Sequence, residues 1–239
     1  MAFDVYVGPL SRYYLGDWEN VAERAAREIG VPYEVVRPAD STDEAIVTDP
    51  DQVRAAVCDW RESLTEILGE RLEEPFEWRE DPAGPYITDR PEWLGYGALL
   101  LLAAYEEHPE HDPPARMPER WQDDPVLALS RGEDLPHTDY AAILLPELWL
   151  PSPFDFLFKF VDLAGHEMFI GSLLSLRPQL ENLNEHTFKG SPDDWRRWAK
   201  GGPPPADAPF ADHGRFALGM FLELATRALE HGAPMKLDY

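Results

Sequence analysis

Residues 93–105 form a run of thirteen residues without a charged side chain in a sequence of 239. The run is apolar on all sides rather than along one stripe, which is typical of a helix that is buried all round. As a helix it is too short to span a bilayer, which takes about 20 residues. We therefore expect a central buried helix against which the other elements pack.

Shorter patterns on both sides of this run predict a mixture of strands and helices. Asp17 is a suitable N-cap for one helix, and Asp49 or Pro50 opens another that ends before Gly69. Ser172 or Ser175 caps a further helix in which Pro178 is expected in the first turn. Strands are predicted at residues 3–7, 33–36, 147–150, 154–161 and 166–170. The helix that Asp17 caps is predicted at residues 18–29, and a last helix at residues 215–229.

The order of these elements indicates the fold class. Residues 162–165 are a short turn between the last two strands and predict an antiparallel hairpin. Because strands and helices do not alternate regularly, we expect an α+β fold, with a mixed or antiparallel sheet, a central buried helix and packed helices. Residues 1–239 are predicted to form a single α+β domain, and the acidic, proline-rich stretch 106–124 is the candidate subdomain boundary.

The charge of the chain is strongly negative and unevenly distributed. Asp and Glu number 45 against 21 Lys and Arg, which gives a formal net charge of −24. The first 150 residues hold 33 acidic and 12 basic side chains, and therefore −21 of that charge. Unassisted binding to nucleic acid or to an anionic membrane is disfavoured, whereas a basic protein partner is favoured. The alternative is that these carboxylates lie on solvated helix faces.

The cysteine content and the first residues predict a cytoplasmic protein. Cys58 is the single cysteine, so the chain forms no internal disulfide and no thiolate zinc cluster. The first basic residue is Arg12, so the start lacks the basic region of a secretory signal. Cys58 lies in a helical stripe with Arg54 and Arg61, which indicates either a reactive thiolate or an unreactive surface thiol.

The segment after the first strand is the candidate binding site. It concentrates aromatic residues, arginine and carboxylates between a strand and a helix, where binding sites are common. The alternative is that the aromatic side chains belong to the core and that the arginine pairs with a local carboxylate. The candidate ligand-binding or partner-binding residues are Arg12, Tyr13, Tyr14, Asp17, Trp18 and Glu19.

Signatures of catalysis are weak in this sequence. It contains no glycine-rich phosphate loop, no Gly-x-Ser-x-Gly, no His-Glu-x-x-His and no Cys-x-x-Cys. Residues 108–112 place two histidines beside carboxylates, but the prolines around them disfavour a rigid metal site. We therefore predict no catalytic residue, no metal and no cofactor.

Five segments of the sequence resemble a group of uncharacterised bacterial proteins of similar length. They are residues 4–8, 12–14, 17–19, 95–99 and 234–239. The resemblance runs from end to end, and it implies one shared architecture without supplying an activity, a ligand or a catalytic residue.

Three hypotheses for the function follow. The first is an acidic cytosolic binding protein, for example an inhibitor of immunity type that masks a basic toxin or nuclease. The second is a hydrolase or small-molecule-binding enzyme with a pocket near Arg12 to Glu19. The third is a structural protein that associates with itself as a homo-oligomer.

Overall fold

The computed structural model of the protein describes residues 3–33, 49–132 and 138–239. Within these ranges the chain forms nine α-helices and one six-stranded mixed sheet. The α+β class predicted from the order of the elements is confirmed.

The sheet is built from six short strands: β1 (Asp4–Val7), β2 (Ile87–Asp89), β3 (Leu148–Leu150), β4 (Phe158–Val161), β5 (Glu167–Ser172) and β6 (Met235–Asp238). Their order across the sheet is β2-β1-β6-β3-β5-β4. β3 and β5 run parallel, and the other neighbouring pairs are antiparallel. The predicted hairpin is present as β4 and β5, although its first strand begins at Phe158 rather than at residue 154.

The helices are α1 (Leu10–Leu15), α2 (Val21–Ile29), α3 (Pro50–Leu68), α4 (Glu92–Glu107), α5 (Pro125–Ser130), α6 (Ala141–Leu144), α7 (Leu173–His186), α8 (Pro192–Lys200) and α9 (Phe210–His231). Short 3₁₀ turns occupy Gly69–Arg71 and Trp121–Asp123.

The uncharged run forms the central helix α4, as predicted. Every residue from Gly95 to Ala104 is buried, and the helix packs against α7 and α9. Gly97 allows the close approach of Trp121, because a Cβ at this position would lie 2.5 Å from the indole ring.

The sheet separates two apolar clusters, since alternate side chains of a strand point to opposite faces. Val5 and Trp149 belong to the cluster formed with α4, α7 and α9. Leu148 belongs to the second cluster, with Leu10 of α1 and Val57 of α3. The helices α1 and α3 therefore cover the face of the sheet opposite to α4.

The start of the first predicted helix needs correction. Residues 10–15, expected in a loop, form α1, and α2 begins after Asn20 rather than after Asp17. The Asn20 side chain accepts a hydrogen bond from the Glu23 N–H, and the Glu23 carboxylate accepts one from the Asn20 N–H. This reciprocal capping box satisfies two backbone donors, which explains why the helix starts there.

A second correction concerns α7. Ser172, one of the two predicted caps, accepts a hydrogen bond from the Leu174 N–H at the start of the helix. Pro178 consequently lies inside the helix and not in its first turn. The strand predicted at residues 33–36 falls, apart from Tyr33, outside the described residues. The single domain and its boundary at residues 106–124 stay predictions.

Candidate partner-binding site

The candidate segment begins at α1, which a distant carboxylate anchors. The buried Glu80 accepts hydrogen bonds from the N–H groups of Leu10 and Ser11 at 3.1 and 2.9 Å and from Ser11 Oγ at 2.7 Å. Trp78 Nε1 donates to the same carboxylate at 2.5 Å. Because these donors are backbone groups at the helix start, Glu80 stabilises a helix that is too short to be stable alone.

Tyr13 and Tyr14 point from α1 into the interior. The Tyr13 hydroxyl donates a hydrogen bond to Asp238 Oδ1 at 2.6 Å, and the Tyr14 hydroxyl donates to Asp162 Oδ2 at 3.0 Å. Burial, together with the adjacent carboxylate, raises the pKa of each phenol well above its usual value. The two tyrosines are therefore neutral hydrogen-bond donors that fasten α1 to the sheet.

A buried lysine lies in the same layer. Lys236 of β6 is 5% exposed, and its Nζ lies 3.5 Å from Asp162 Oδ2 and 5.3 Å from the centroid of the Tyr13 ring. Burial lowers the pKa of Lys236, and the Asp162 carboxylate opposes that shift. Asp162 also accepts hydrogen bonds from the N–H groups of Ala164 and His166. The carboxylate thus joins the β4–β5 turn, β6 and α1.

The outward side of the segment lines a shallow depression that is open to solvent, with a volume of about 550 Å³. Four of the six predicted residues line it, and Tyr13 and Tyr14 do not. The lining residues are Arg12, Gly16, Asp17, Trp18, Glu19, Glu23, Tyr33 and Tyr86.

Arg12 is held in place inside this depression. Its guanidinium donates hydrogen bonds to the Gly84 carbonyl at 2.6 Å and to the Asp17 carbonyl at 2.5 Å, and lies 3.5 Å from the Asp17 carboxylate. The guanidinium carbon is 4.4 Å from the centroid of the Tyr86 ring. A cation at this distance is attracted by the negative face of the ring.

Trp18 and Glu19 are positioned by local contacts. Trp18 Nε1 donates to the Tyr13 carbonyl at 3.2 Å, and the two rings stack with centroids 5.5 Å apart. The Glu19 N–H donates to the Tyr86 hydroxyl at 3.0 Å, and the Glu19 carboxylate pairs with Arg27 at 2.8 Å. The indole and carboxylate groups are therefore fixed before any partner binds.

The electrostatics of the depression suit a cation. Asp17, Glu19 and Glu23 contribute three carboxylates to the lining, against the guanidinium of Arg12 in the lining and that of Arg27, which pairs with Glu19 from outside it. The aromatic side chains beside them add negative ring faces. Together these groups match the chemistry of an arginine or lysine side chain.

Four lining residues were not predicted from the sequence: Gly16, within the candidate segment, and Glu23, Tyr33 and Tyr86, outside it. Glu23 could have been recognised from its capping-box spacing to Asn20, as described above. Tyr86 reaches the site through the antiparallel pairing of β1 with β2, to which its neighbour Ile87 belongs, and Tyr33 follows the end of α2. No local pattern connects these two tyrosines with the candidate segment.

Among the described residues, the other histidine and acidic groups do not form a comparable centre. Glu110 Oε1 lies 3.7 Å from His108 Nδ1 and 3.9 Å from His111 Nε2, on an exposed loop. In residues 3–33, 49–132 and 138–239, no group of three or more His, Cys, Asp or Glu side chains is arranged to hold a metal ion.

Comparisons of the chain with protein-family models, with curated proteins and with solved structures found no match. None of the helices in the described ranges combines the length and the apolar composition needed to cross a membrane. The function must therefore be argued from the chemistry of the site itself.

Proposed function

We propose that this chain is an acidic cytosolic binding protein that recognises a basic protein partner through the depression beside α1. The observation that carries the proposal is the placement of three carboxylates next to aromatic rings on an open surface. Such a surface receives arginine or lysine side chains of a partner by charge pairing and by ring contact. An inhibitor of immunity type is one class of protein that this chemistry would serve.

An internal contact supports this mode of recognition. The Arg12 guanidinium lies over the Tyr86 ring and beside Asp17, so the depression already accommodates one cation in this manner. A second cation meets Glu19 and Glu23 at the same surface, where Glu19 already pairs with Arg27 and Glu23 accepts the Asn20 N–H, so it would share these carboxylates. The Arg12 contact is an internal example of the carboxylate and ring contacts that a partner's guanidinium would make, and the side chains that would make them are held in place in the free protein, which lowers the cost of binding.

The overall charge supports the same proposal at longer range. A net charge of −24 attracts a basic protein and increases its rate of association. The depression then supplies the close contacts that a diffuse charge lacks. Long-range attraction and short-range contact predict different responses to mutation, and the two can therefore be separated.

The test is calorimetric titration with an oligoarginine peptide, and with oligolysine of the same length. We expect binding that weakens as NaCl rises, since exposed charges are screened over about 10 Å at 0.1 M salt. Arginine should bind more tightly than lysine, because its planar group stacks on aromatic rings. Neutralising the site with Asp17→Asn, Glu19→Gln and Glu23→Gln should weaken oligoarginine binding at least about tenfold more than the control below.

The matched control removes the same charge from α3 and the turn that follows it. Glu62, Glu66 and Glu70 are exposed, and their replacement by Gln changes the net charge by the same amount. Equal weakening by both triple variants would refute the proposed site, because binding would then depend on diffuse charge alone. Binding of a second copy of the chain, seen as a dimer by light scattering and abolished by the site variant, would assign the surface to self-association instead.

A further inference from the structure

We propose that a second cavity, between α3 and residues 78–81, binds a small multivalent oxyanion that carries phosphoryl or carboxylate groups. The cavity has a volume of about 400 Å³, and its lining includes three arginines. This site is distinct from the depression beside α1 and has the opposite chemistry. The proposal does not depend on the proposed function.

The three arginines line one cavity because two of them share a face of α3 and the third comes from residues 78–81, which lie beside that helix. Arg54, Cys58 and Arg61 are four and three residues apart on α3, so their side chains lie on one face of the helix. Residues 78–81 supply Arg79 and Trp78 to the same cavity. The side chains that line the space thus come from two segments that the fold holds together.

Two of the guanidinium groups are available for an anion. Within the described ranges, neither Arg54 nor Arg61 has a carboxylate within 4.0 Å. Arg61 donates one hydrogen bond to the Trp78 carbonyl at 2.5 Å, and its guanidinium carbon lies 5.2 Å from the centroid of the Trp78 ring. These contacts orient Arg61, and further N–H groups of its five donors are left for a ligand.

The two carboxylates of the cavity already have partners. Glu80 is 5% exposed and accepts the hydrogen bonds from α1 and Trp78 described above. Asp81 accepts a hydrogen bond from the Ala83 N–H at 3.1 Å and lies 3.3 Å from Arg79. Arg54 and Arg61 are therefore the groups from which an incoming anion gains charge-assisted hydrogen bonds.

The charge of the whole chain restricts the class of ligand. A net charge of −24 repels anions at long range. Several short contacts are therefore needed to offset the unfavourable free energy of bringing an anion to this protein. Bidentate pairing of guanidinium with phosphoryl or carboxylate oxygens supplies such contacts. A compact anion with several oxygens, of the size of pyrophosphate or citrate, fits both the volume and the charge.

Cys58 provides the assay, because it is the single cysteine of the chain and lines this cavity. Iodoacetate and iodoacetamide both alkylate the Cys58 sulfur, and iodide leaves as the C–S bond forms. The two reagents differ chiefly in charge, because iodoacetate is an anion and iodoacetamide is neutral. A positive local potential raises the rate ratio of iodoacetate to iodoacetamide. We expect this ratio to be at least about threefold higher in the native protein than in the urea-unfolded chain.

The exposed Arg54 and Arg79 are the residues to change. The double variant Arg54→Gln and Arg79→Gln should lower the ratio towards its value in the unfolded chain, because it removes two of the three guanidinium groups that line the cavity. The matched control is the double variant Arg120→Gln and Arg27→Gln, which removes two arginines that are paired elsewhere with Asp123 and Glu19. A ratio that is the same in the native protein and in both double variants would overturn the proposal.

Ligand binding is tested with sodium pyrophosphate and with sodium citrate, against NaCl at equal ionic strength. Saturable slowing of iodoacetamide alkylation by pyrophosphate, citrate or both supports the site, and the stronger ligand identifies phosphoryl or carboxylate chemistry. Slowing that is unchanged in the Arg54→Gln and Arg79→Gln variant would contradict it. If the thiol is unreactive in the native protein, the thermal shift decides. Pyrophosphate or citrate must raise the Tm of the native protein by more than that of the variant, and equal shifts would contradict the site.

Discussion

Alkaline pH should destabilise this protein, and the tyrosines on and beside α1 should account for a large share of the effect. Tyr6, Tyr13 and Tyr14 are held in or against the sheet by hydrogen bonds to Pro9, Asp238 and Asp162. Burial raises the pKa of all three phenols above the ordinary value of 10.0, and nearby carboxylates add to the shift. Above pH 10 the unfolded chain therefore releases these protons while the folded chain retains them.

The sign and size of the effect follow from this difference in bound protons. The stability from a raised pKa is fully present below pH 10 and is lost as pH rises from the unfolded value towards the folded one. Each phenol lowers the free energy of unfolding by about 1.4 kcal/mol per pH unit in that range, so the three together remove about 4 kcal/mol per unit. A domain with a stability of about 5–15 kcal/mol should thus unfold within about one to four pH units above 10.

The assay is urea unfolding at several pH values above 10.5. This range avoids Lys236, whose lowered pKa makes stability rise with pH up to its unfolded value of 10.5. Tyr14→Phe should cost about 1.5–3 kcal/mol at pH 7, because its hydrogen bond to the Asp162 carboxylate is lost. The same change should make the alkaline decline shallower by about 1.4 kcal/mol per pH unit.

Tyr33→Phe is the control for loss of a phenol hydroxyl, since Tyr33 is 42% exposed. The reasoning would be refuted if Tyr14→Phe and the unmodified protein lost stability with the same slope above pH 10.5. It would also be refuted if the absorbance change of ionised tyrosine at alkaline pH were complete before the protein unfolded.

Three further changes test the packing of the fold. Arg90→Met should lower the free energy of unfolding, measured in urea, by about 3–5 kcal/mol, because the Asp4 carboxylate loses its cation. Asp4 is 1% exposed and lies 2.7 Å from Arg90, so a loss below about 1 kcal/mol would contradict a buried pair. Leu100→Asp should abolish the near-ultraviolet circular dichroism of the folded state, because it buries a carboxylate in the centre of α4; a native spectrum would contradict the burial. Gly97→Ala should cost about 1–3 kcal/mol and lower the Tm, since its Cβ would overlap the Trp121 ring; an unchanged Tm would contradict the close contact.

Elements with strong local patterns were the predictable part of the fold. The uncharged run gave α4, the apolar spacing after Asp49 gave α3, and the short turn at residues 162–165 gave the β4–β5 hairpin. The alternation in residues 3–7 likewise identified β1. In each case the period of the apolar residues matches the period of the structure.

Elements that depend on distant partners were not predictable. α1 has six residues, and the Glu80 carboxylate that anchors it lies 69 positions from Ser11. β6 buries Lys236, a residue that rarely occupies a strand interior, beside Asp162. α8 is a different case, because it does not depend on a distant partner. Its capping box, formed by Ser191 and Asp194, is visible in the sequence, so this helix could have been predicted.

The candidate site was only partly predictable for the same reason. Composition indicated the segment, but it could not separate Trp18, which lines the depression, from Tyr13, which fastens α1 to the sheet. That distinction depends on Asp238, at the far end of the chain. The arginine cavity is formed by the stripe of Arg54, Cys58 and Arg61 on α3 together with Arg79 from a separate segment. The stripe is visible in the sequence, whereas the position of Arg79 beside it is not.

The most direct test of the proposed binding function is to locate where a cation binds. The ¹⁵N-labelled protein should be titrated with oligoarginine while its amide and indole N–H resonances are followed. We expect the largest changes at the amides of residues 16–23 and at the Trp18 indole N–H, which donates to the Tyr13 carbonyl. Largest changes at the acidic residues of the stretch 106–124, or changes spread evenly over the exposed carboxylates, would contradict it.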